Sequence, residues 1–153
     1  MSTTTTTKTK TAHSGTAQLA TFWLDSDLYG VEVEHVQEVL RSQGITRVPL
    51  SPPAVAGLIN LRGQVVTAIE LRELLGRPPR PEGTDPVVIV VRLHGEAVSL
   101  LVDSIADVVD VNARDFESPP DTLDGSARDL IRGAYKLDGQ LLLALDVNRA
   151  VGT

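Results

Sequence analysis

The chain contains no cysteine, which excludes disulfides, thiolate metal centres and cysteine nucleophiles. Nothing in it exploits an oxidising compartment, so the cytoplasm is the expected location. Aromatic residues make up only 3% of the sequence and leave the core to Val, Leu, Ile and Ala. Long apolar runs are also missing. Val87–Val91 and Leu141–Leu145 hold five residues each, whereas a bilayer-crossing helix needs about 20. The opening stretch MSTTTTTKTKTAHSGT has no apolar segment of the kind a secretory signal requires. Cations are the minority, 14 against 20 acidic residues for a net charge of −6. Lys8 and Lys10 lie near the start, so from Gln18 onward 12 basic residues face 20 acidic ones, a net −8. A body of that charge repels nucleic acid and anionic lipid, and no membrane insertion is expected. Protein or cationic partners remain open.

What is present is the composition of a globular chain, 42% hydrophobic and 22% charged over 153 residues. That length suits one domain, or two very small units sharing a core. Residues 1–17 hold eight threonines and little to bury, so a disordered leader is expected there, with the folded unit over 18–153. QLATFWL and LYGVEV then read as strands around the turn Asp25-Ser26-Asp27. In EHVQEVL, Val36, Val39 and Leu40 fall at i, i+3 and i+4, the spacing of a short helix with Glu38 on its polar face. RVPLSPP is an extended connector, because its prolines deny it both helix and ladder. GLINL and QVVTAIEL flank the tight turn Arg62-Gly63, and LRELL is a helical turn ended by Gly76. VVIVVRL and AVSLLVD form a second hairpin, continued by SIADVVDV; IRGAYKL and QLLLALDV form a third around Asp138-Gly139.

The two halves match one another. Gly57–Leu71 and Gly133–Val147 align at an offset of 76, sharing their glycines, a Gly-Gln pair and an acidic residue before the last aliphatic. A weaker match places Val33–Val39 over Val102–Val108. A duplicated unit of some seventy residues accounts for both. Several strands are apolar on both faces, among them VVIVV and QLLLAL, where a strand with one wet face would alternate. One face then fills a barrel and the other a seam between barrels, or else an apolar groove lies exposed.

Catalytic constellations are hard to find. The histidines His13, His35 and His94 have no metal-ligand spacing, and no Gly-x-Ser-x-Gly, Gly-x-Gly-x-x-Gly or Walker-type motif occurs. The carboxylate pairs Asp25/Asp27 and Glu32/Glu34 fit turns or a solvated strand face. No catalytic residue, metal or cofactor is therefore assigned. Arg62, at a hairpin tip on an acidic protein, has two readings. It is a solvated turn residue paired with a carboxylate such as Glu38, or a guanidinium presented to a partner's carboxylates or carbonyls.

YGVEVEHVQEVL, TRVP, GLINLRGQVV, IELR and VDSIADVVDV, in this order across roughly Gln18 to Val151, resemble the CheW-type coupling proteins of bacterial chemotaxis. The resemblance implies an all-β fold of two five-stranded SH3-like barrels packed side by side, with short helices. It implies a non-catalytic adaptor linking chemoreceptor cytoplasmic tips to a CheA-type histidine kinase, whose own domain of the same fold packs barrel against barrel. It places the protein in the cytoplasm, recruited to receptor arrays at the inner face of the membrane. Carried over residue by residue, the receptor-contact positions are Val36, Glu38, Arg62 and Val108; no residue is assigned to the kinase contact. Thr67-Ala68 and Glu70 depart from the usual proline-containing segment and the usual Asp, and Phe116–Leu130 matches poorly. The chain carries neither a kinase ATP-binding region nor a receiver domain. The alternatives are a small-molecule or peptide-binding module without a kinase partner, or an enzyme with a diffuse site.

Overall fold

The computed structural model describes residues 16–41, 44–123 and 125–151. Most of the expected leader lies outside them, and the first strand claims its last two positions. In chain order the elements are β1 (Thr16–Leu24), β2 (Asp27–Glu32), β3 (Val36–Arg41), β4 (Ile45–Thr46), β5 (Val55–Leu61), β6 (Gln64–Glu70) and α1 (Leu71–Leu74). These are followed by β7 (Val87–Leu93), β8 (Glu96–Val102), β9 (Ser104–Asn112), β10 (Phe116–Glu117), α2 (Gly125–Leu130), β11 (Ile131–Leu137), β12 (Gln140–Leu145) and α3 (Val147–Val151). Tight turns separate the hairpins. Arg62-Gly63 (φ 51° and 85°) and His94-Gly95 (φ 52° and 84°) both take the left-handed conformation that a two-residue hairpin loop on twisted strands requires.

The strands assemble into two six-stranded sheets, ordered β9-β1-β2-β12-β11-β10 and β3-β7-β8-β6-β5-β4. Each sheet has five longer strands and a two-residue sixth. The orders match strand for strand between the sequence halves, but with an exchange. The hairpin β1–β2 joins strands of the second half, and β7–β8 joins strands of the first. The joins are parallel, β12 on β2 (Leu142 opposite Leu28) and β6 on β8 (Thr67 opposite Val98), while nearly every other pairing is an antiparallel hairpin or meander.

The two halves repeat one another in backbone detail. The β5–β6 ladder shifts register between Val55 and Gly57, and the β11–β12 ladder between Ile131 and Gly133. A Cβ on Gly57 would overlap the Thr46 carbonyl oxygen and lie 2.8 Å from the Ile45 side chain. One on Gly133 would lie 2.5 Å from the Glu117 carbonyl oxygen and against the Phe116 ring. Each glycine thus admits the short edge strand, β4 or β10, that crosses it.

Strands that are apolar on both faces are explained by three cores. Ile59, Ala68, Val88, Val90 and Leu101 fill the interior of one sheet, and Leu19, Leu28, Val111 and Leu142 the interior of the other. The alternate residues of the same strands, including Phe22, Val31, Ile89, Val91, Leu143 and Leu145, meet in a larger central core. Leu71 and Leu74 from α1, and Val147 and Ala150 from α3, complete it. Burial on both sides is what a continuous aliphatic run reports.

An ion network fastens one end of the seam. Arg72, 3% exposed, extends from α1. It donates to Asp103 through Nε (2.9 Å) and Nη2 (2.7 Å), to Asp25 through Nη2, and to the Pro78 carbonyl through Nη1 (2.8 Å). Asp25 lies in the β1–β2 turn of one sheet, whereas α1 follows β6 of the other. Arg77 reaches Asp25, Asp27 and the Tyr29 hydroxyl, and Arg80 reaches Glu70 and Asp103. Partial burial works to raise the Asp103 carboxyl, but the hydrogen bonds from Arg72 and the Asp25 N–H, with the charges of Arg72 and Arg80, outweigh it and hold it below its usual range. Hydrogen bonds to Asp103 and Asp25 likewise outweigh burial and push Arg72 upward.

Two elements depart from expectation. SIADVVDV, as β9, pairs with β1 in the other sheet instead of continuing the β7–β8 hairpin. EHVQEVL is not a helix. Val33–His35 makes a single 3₁₀ turn, and Val36–Arg41 continues as an edge strand paired with Val87–Val91 of β7. The i, i+3, i+4 spacing arose from a strand whose half-buried residues are Val36, Glu38 and Leu40, and Val39 is 45% exposed instead of core. Pairing with an all-aliphatic neighbour outweighs three apolar residues at helical spacing.

Candidate functional site

β3 and β9 are the outer strands of their sheets, and both carry apolar residues to the surface. On β3 the chain sequence places Val36 and Glu38 two residues apart, separated in the ladder by a register shift. Val36 packs half-buried against the central core. Glu38 lies opposite Val90 in the ladder, its side chain largely covered at 18% exposure.

The β5–β6 hairpin brings Arg62 to it. Asn60 stabilises the tip, its side-chain oxygen accepting from the Gly63 N–H at 2.9 Å, and the positive φ at Arg62 turns that side chain out of the ladder. The guanidinium then donates to both Glu38 oxygens, Nη1 to Oε2 at 2.7 Å and Nη2 to Oε1 at 2.5 Å. This is a fork-on-fork pair, the geometry in which arginine reads a carboxylate best. The hydrogen bond from Arg62 holds the Glu38 carboxyl below its usual range, and the same bond pushes Arg62 upward. Arg62 keeps 74% of its side chain exposed, so its remaining donors face solvent. Val39 (45% exposed) and Val65 (61%) lie beside the pair on the strands that carry it. The result is a charged, geometrically fixed point set among exposed aliphatic side chains.

Val108 is elsewhere. It lies on β9 of the other sheet, 58% exposed and opposite Ala20 of β1. Of the four sequence-assigned positions the structure joins Glu38 to Arg62 directly, sets Val36 on the same strand as Glu38, and leaves Val108 on the partner edge. Ile105 (40% exposed) and Leu141 (37%) accompany Val108 as Val39 and Val65 accompany Arg62. Sequence reasoning missed all four of these flanking residues. Val39 and Ile105 stand on edge strands, which only the strand order reveals, whereas Val65 and Leu141 are exposed one residue past the start of the inner strands β6 and β12, beside their hairpin turns.

Glu32, Glu34 and His35 bring ligand atoms within 4.8 Å of one another. Glu32 already accepts from Arg132 at 3.1 Å, and none of the three is buried, so the group reads as a solvated ion cluster. Among the described residues no helix is long and apolar enough to cross a membrane.

Comparison with known proteins places this geometry. The chemotaxis protein CheW of Treponema pallidum is 28% identical over 136 residues, covering 86% of this chain and 80% of that protein. The chemotaxis protein CheW of Bacillus subtilis is 29% identical over 131 residues, covering 86% and 84%. The crystal structure of a scaffolding protein, TtCheW from Thermoanaerobacter tengcongensis, superposes with a TM-score of 0.75 at 29% identity, covering 84% of this chain and 88% of that one. The CheW-like domain model matches residues 18–152, nearly the whole described chain, and the chain therefore belongs to the CheW-like domain family.

Proposed function

We propose that the protein is a non-catalytic adaptor that couples chemoreceptors, the methyl-accepting chemotaxis proteins, to a CheA-type histidine kinase. It works in the cytoplasm, at receptor arrays on the inner face of the membrane. The observation that carries this reading is the forked Glu38–Arg62 pair at an exposed hairpin tip among surface aliphatic residues. An arrangement of this kind suits protein, because it offers exposed apolar area together with a fixed orientation. Val36, Glu38 and Arg62 are the receptor contacts on one sheet, and Val108 is the contact on the other. The aliphatic side chains supply most of the affinity for a helical hairpin, and the ion pair fixes its orientation.

The adaptor adds no chemical step. It holds receptor and kinase in register, and signalling passes through the packing of protein surfaces. A pull-down with the purified chain tests the proposal: it should retain both a receptor cytoplasmic fragment and the kinase. Retention of neither, with a peptide or small molecule bound instead, would establish the module without a kinase partner.

A further inference from the structure

The connector between β4 and β5 contains a turn that the fold does not need in its present form. Val48, Pro49, Leu50 and Ser51 close on themselves. The Ser51 N–H donates to the Val48 carbonyl at 3.4 Å and the Ser51 hydroxyl to the same oxygen at 2.8 Å. Proline in the second place and a positive φ in the third are the pattern of a type II turn, whose third residue is ordinarily Gly or Asn. Here it is Leu50, with φ 64° and a relative exposure of 104%. Among the described residues it is the one apolar side chain held at positive φ. The backbone bears strain there, and the side chain contributes no burial to this molecule. Val48 beside it is 37% exposed. Arg47 precedes both, exposed, with no ion pair upon it among the described residues, on a protein whose folded part is strongly acidic.

The turn lies at the opposite end of β5 from Arg62. Ala54 accepts from the Glu70 N–H, and Val55 faces Ile69 at the far end of the ladder that Leu61 and Gln64 close at the tip. Six residue steps of strand put about 20 Å between the two ends. In the second half the Leu123 N–H closes the corresponding turn on the Pro120 carbonyl at 3.1 Å; Asp121 and Thr122 occupy its two central places, and its Leu123 packs against the central core instead of standing in solvent.

We propose that the Arg47–Ser51 turn is a second docking point, at which Leu50 enters an apolar pocket on the kinase and Arg47 meets a carboxylate on that pocket's rim. The assignment rests on the adaptor reading above and gives the coupling its second surface. An acidic protein that offers a lone cation beside a protruding Leu is complementary to an apolar hollow with an acidic edge. A four-residue turn is an anchor within a larger contact, of the kind in which a single buried side chain carries much of the affinity. Its distance from Glu38 and Arg62 lets receptor and kinase be held at once.

The test measures affinity of the full-length chain for the kinase and, separately, for a receptor cytoplasmic fragment, alongside the thermal midpoint. Leu50→Asn suits the left-handed turn, so the midpoint should hold or rise while kinase affinity falls about tenfold or more. Receptor affinity should not move. Arg47→Glu should weaken kinase binding in the same direction, and Arg62→Glu should weaken receptor binding alone. Unchanged kinase affinity in Leu50→Asn overturns the proposal. A loss confined to the receptor fragment overturns the choice of partner. A wild-type chain that binds neither protein overturns the adaptor reading itself, and this assignment with it.

Discussion

The two halves of the molecule share their strands, bulges and glycines, and differ where charge meets the surface. At the hairpin offset of 76 and the β1–β2/β7–β8 offset of 69, Val39 corresponds to Val108 and Val65 to Leu141, exposed aliphatic residues in both halves. Glu38 corresponds to Asp107, but Arg62 corresponds to Asp138. One half carries a closed ion pair at its tip, and the other two carboxylates with no ion-pair partner among the described residues. The seam repeats the contrast. Arg72, Asp25 and Asp103 correspond to Asn148, His94 and Glu34, so the position of the central guanidinium that fastens one end is held by a neutral amide at the other. Apolar positions are constrained by burial and register, which the repeated strand order imposes on both halves alike. Exposed charges are not, and they are free to make the two faces chemically distinct.

The glycines give the largest test of the shared framework. Gly57→Ala should cost about 3 kcal/mol, because its Cβ meets the Thr46 backbone and its φ of 150° strains any side chain. Gly133→Ala should cost about 2 kcal/mol, since the Phe116 ring, 38% exposed, can turn aside although the Glu117 carbonyl cannot. Urea unfolding measures both, and equal, negligible losses would show that the edge strands are not held as described.

The seam comparison should show a similar loss on one side only. Arg72→Met strands Asp25 and Asp103 and should cost about 2 kcal/mol, less than a wholly buried pair because both carboxylates are partly wet. Asn148→Ala, its counterpart, should stay within about 0.5 kcal/mol. The pair also predicts a pH effect. Asp103 titrates below the unfolded carboxylate, so its contribution is complete above about pH 4 and is lost as pH falls through the lower folded value. The stability gap between wild type and Arg72→Met should therefore narrow in acid; a constant gap from pH 6 to pH 3 would detach Asp103 from the network.

The smallest effects on stability belong to the surface charges. Arg62→Glu puts an acidic residue at both positions, the charge pattern of Asp107 and Asp138 in the second half. It should leave the thermal midpoint within a degree or two while receptor binding drops about tenfold. Asp138→Arg does the converse and should form an ion pair with Asp107 with no resolvable change in melting. A melt that shifts strongly in either variant would mean that the tips are structural.

The sequence carried the strand-rich architecture because VVIVV and QLLLAL are apolar on both faces and because turn residues punctuate them. The repeat of strand order between the halves was legible in the match of Gly57–Leu71 with Gly133–Val147. Reading EHVQEVL as a helix failed because the strand that pairs with it is fifty residues away. The Arg72 network was invisible for the same reason, since its partners at positions 25 and 103 meet only after folding. The exchange of hairpins between halves left no local trace, because each strand has the same composition whichever sheet receives it.

That exchange has a consequence for origins. A half that donates its leading hairpin cannot complete a sheet alone, yet two identical halves can complete each other. Strands one to six, present twice as separate chains, would interlock into a symmetric dimer with the topology seen here. One chain holding both halves keeps that mutual exchange within a single molecule and lets each half present its own surface.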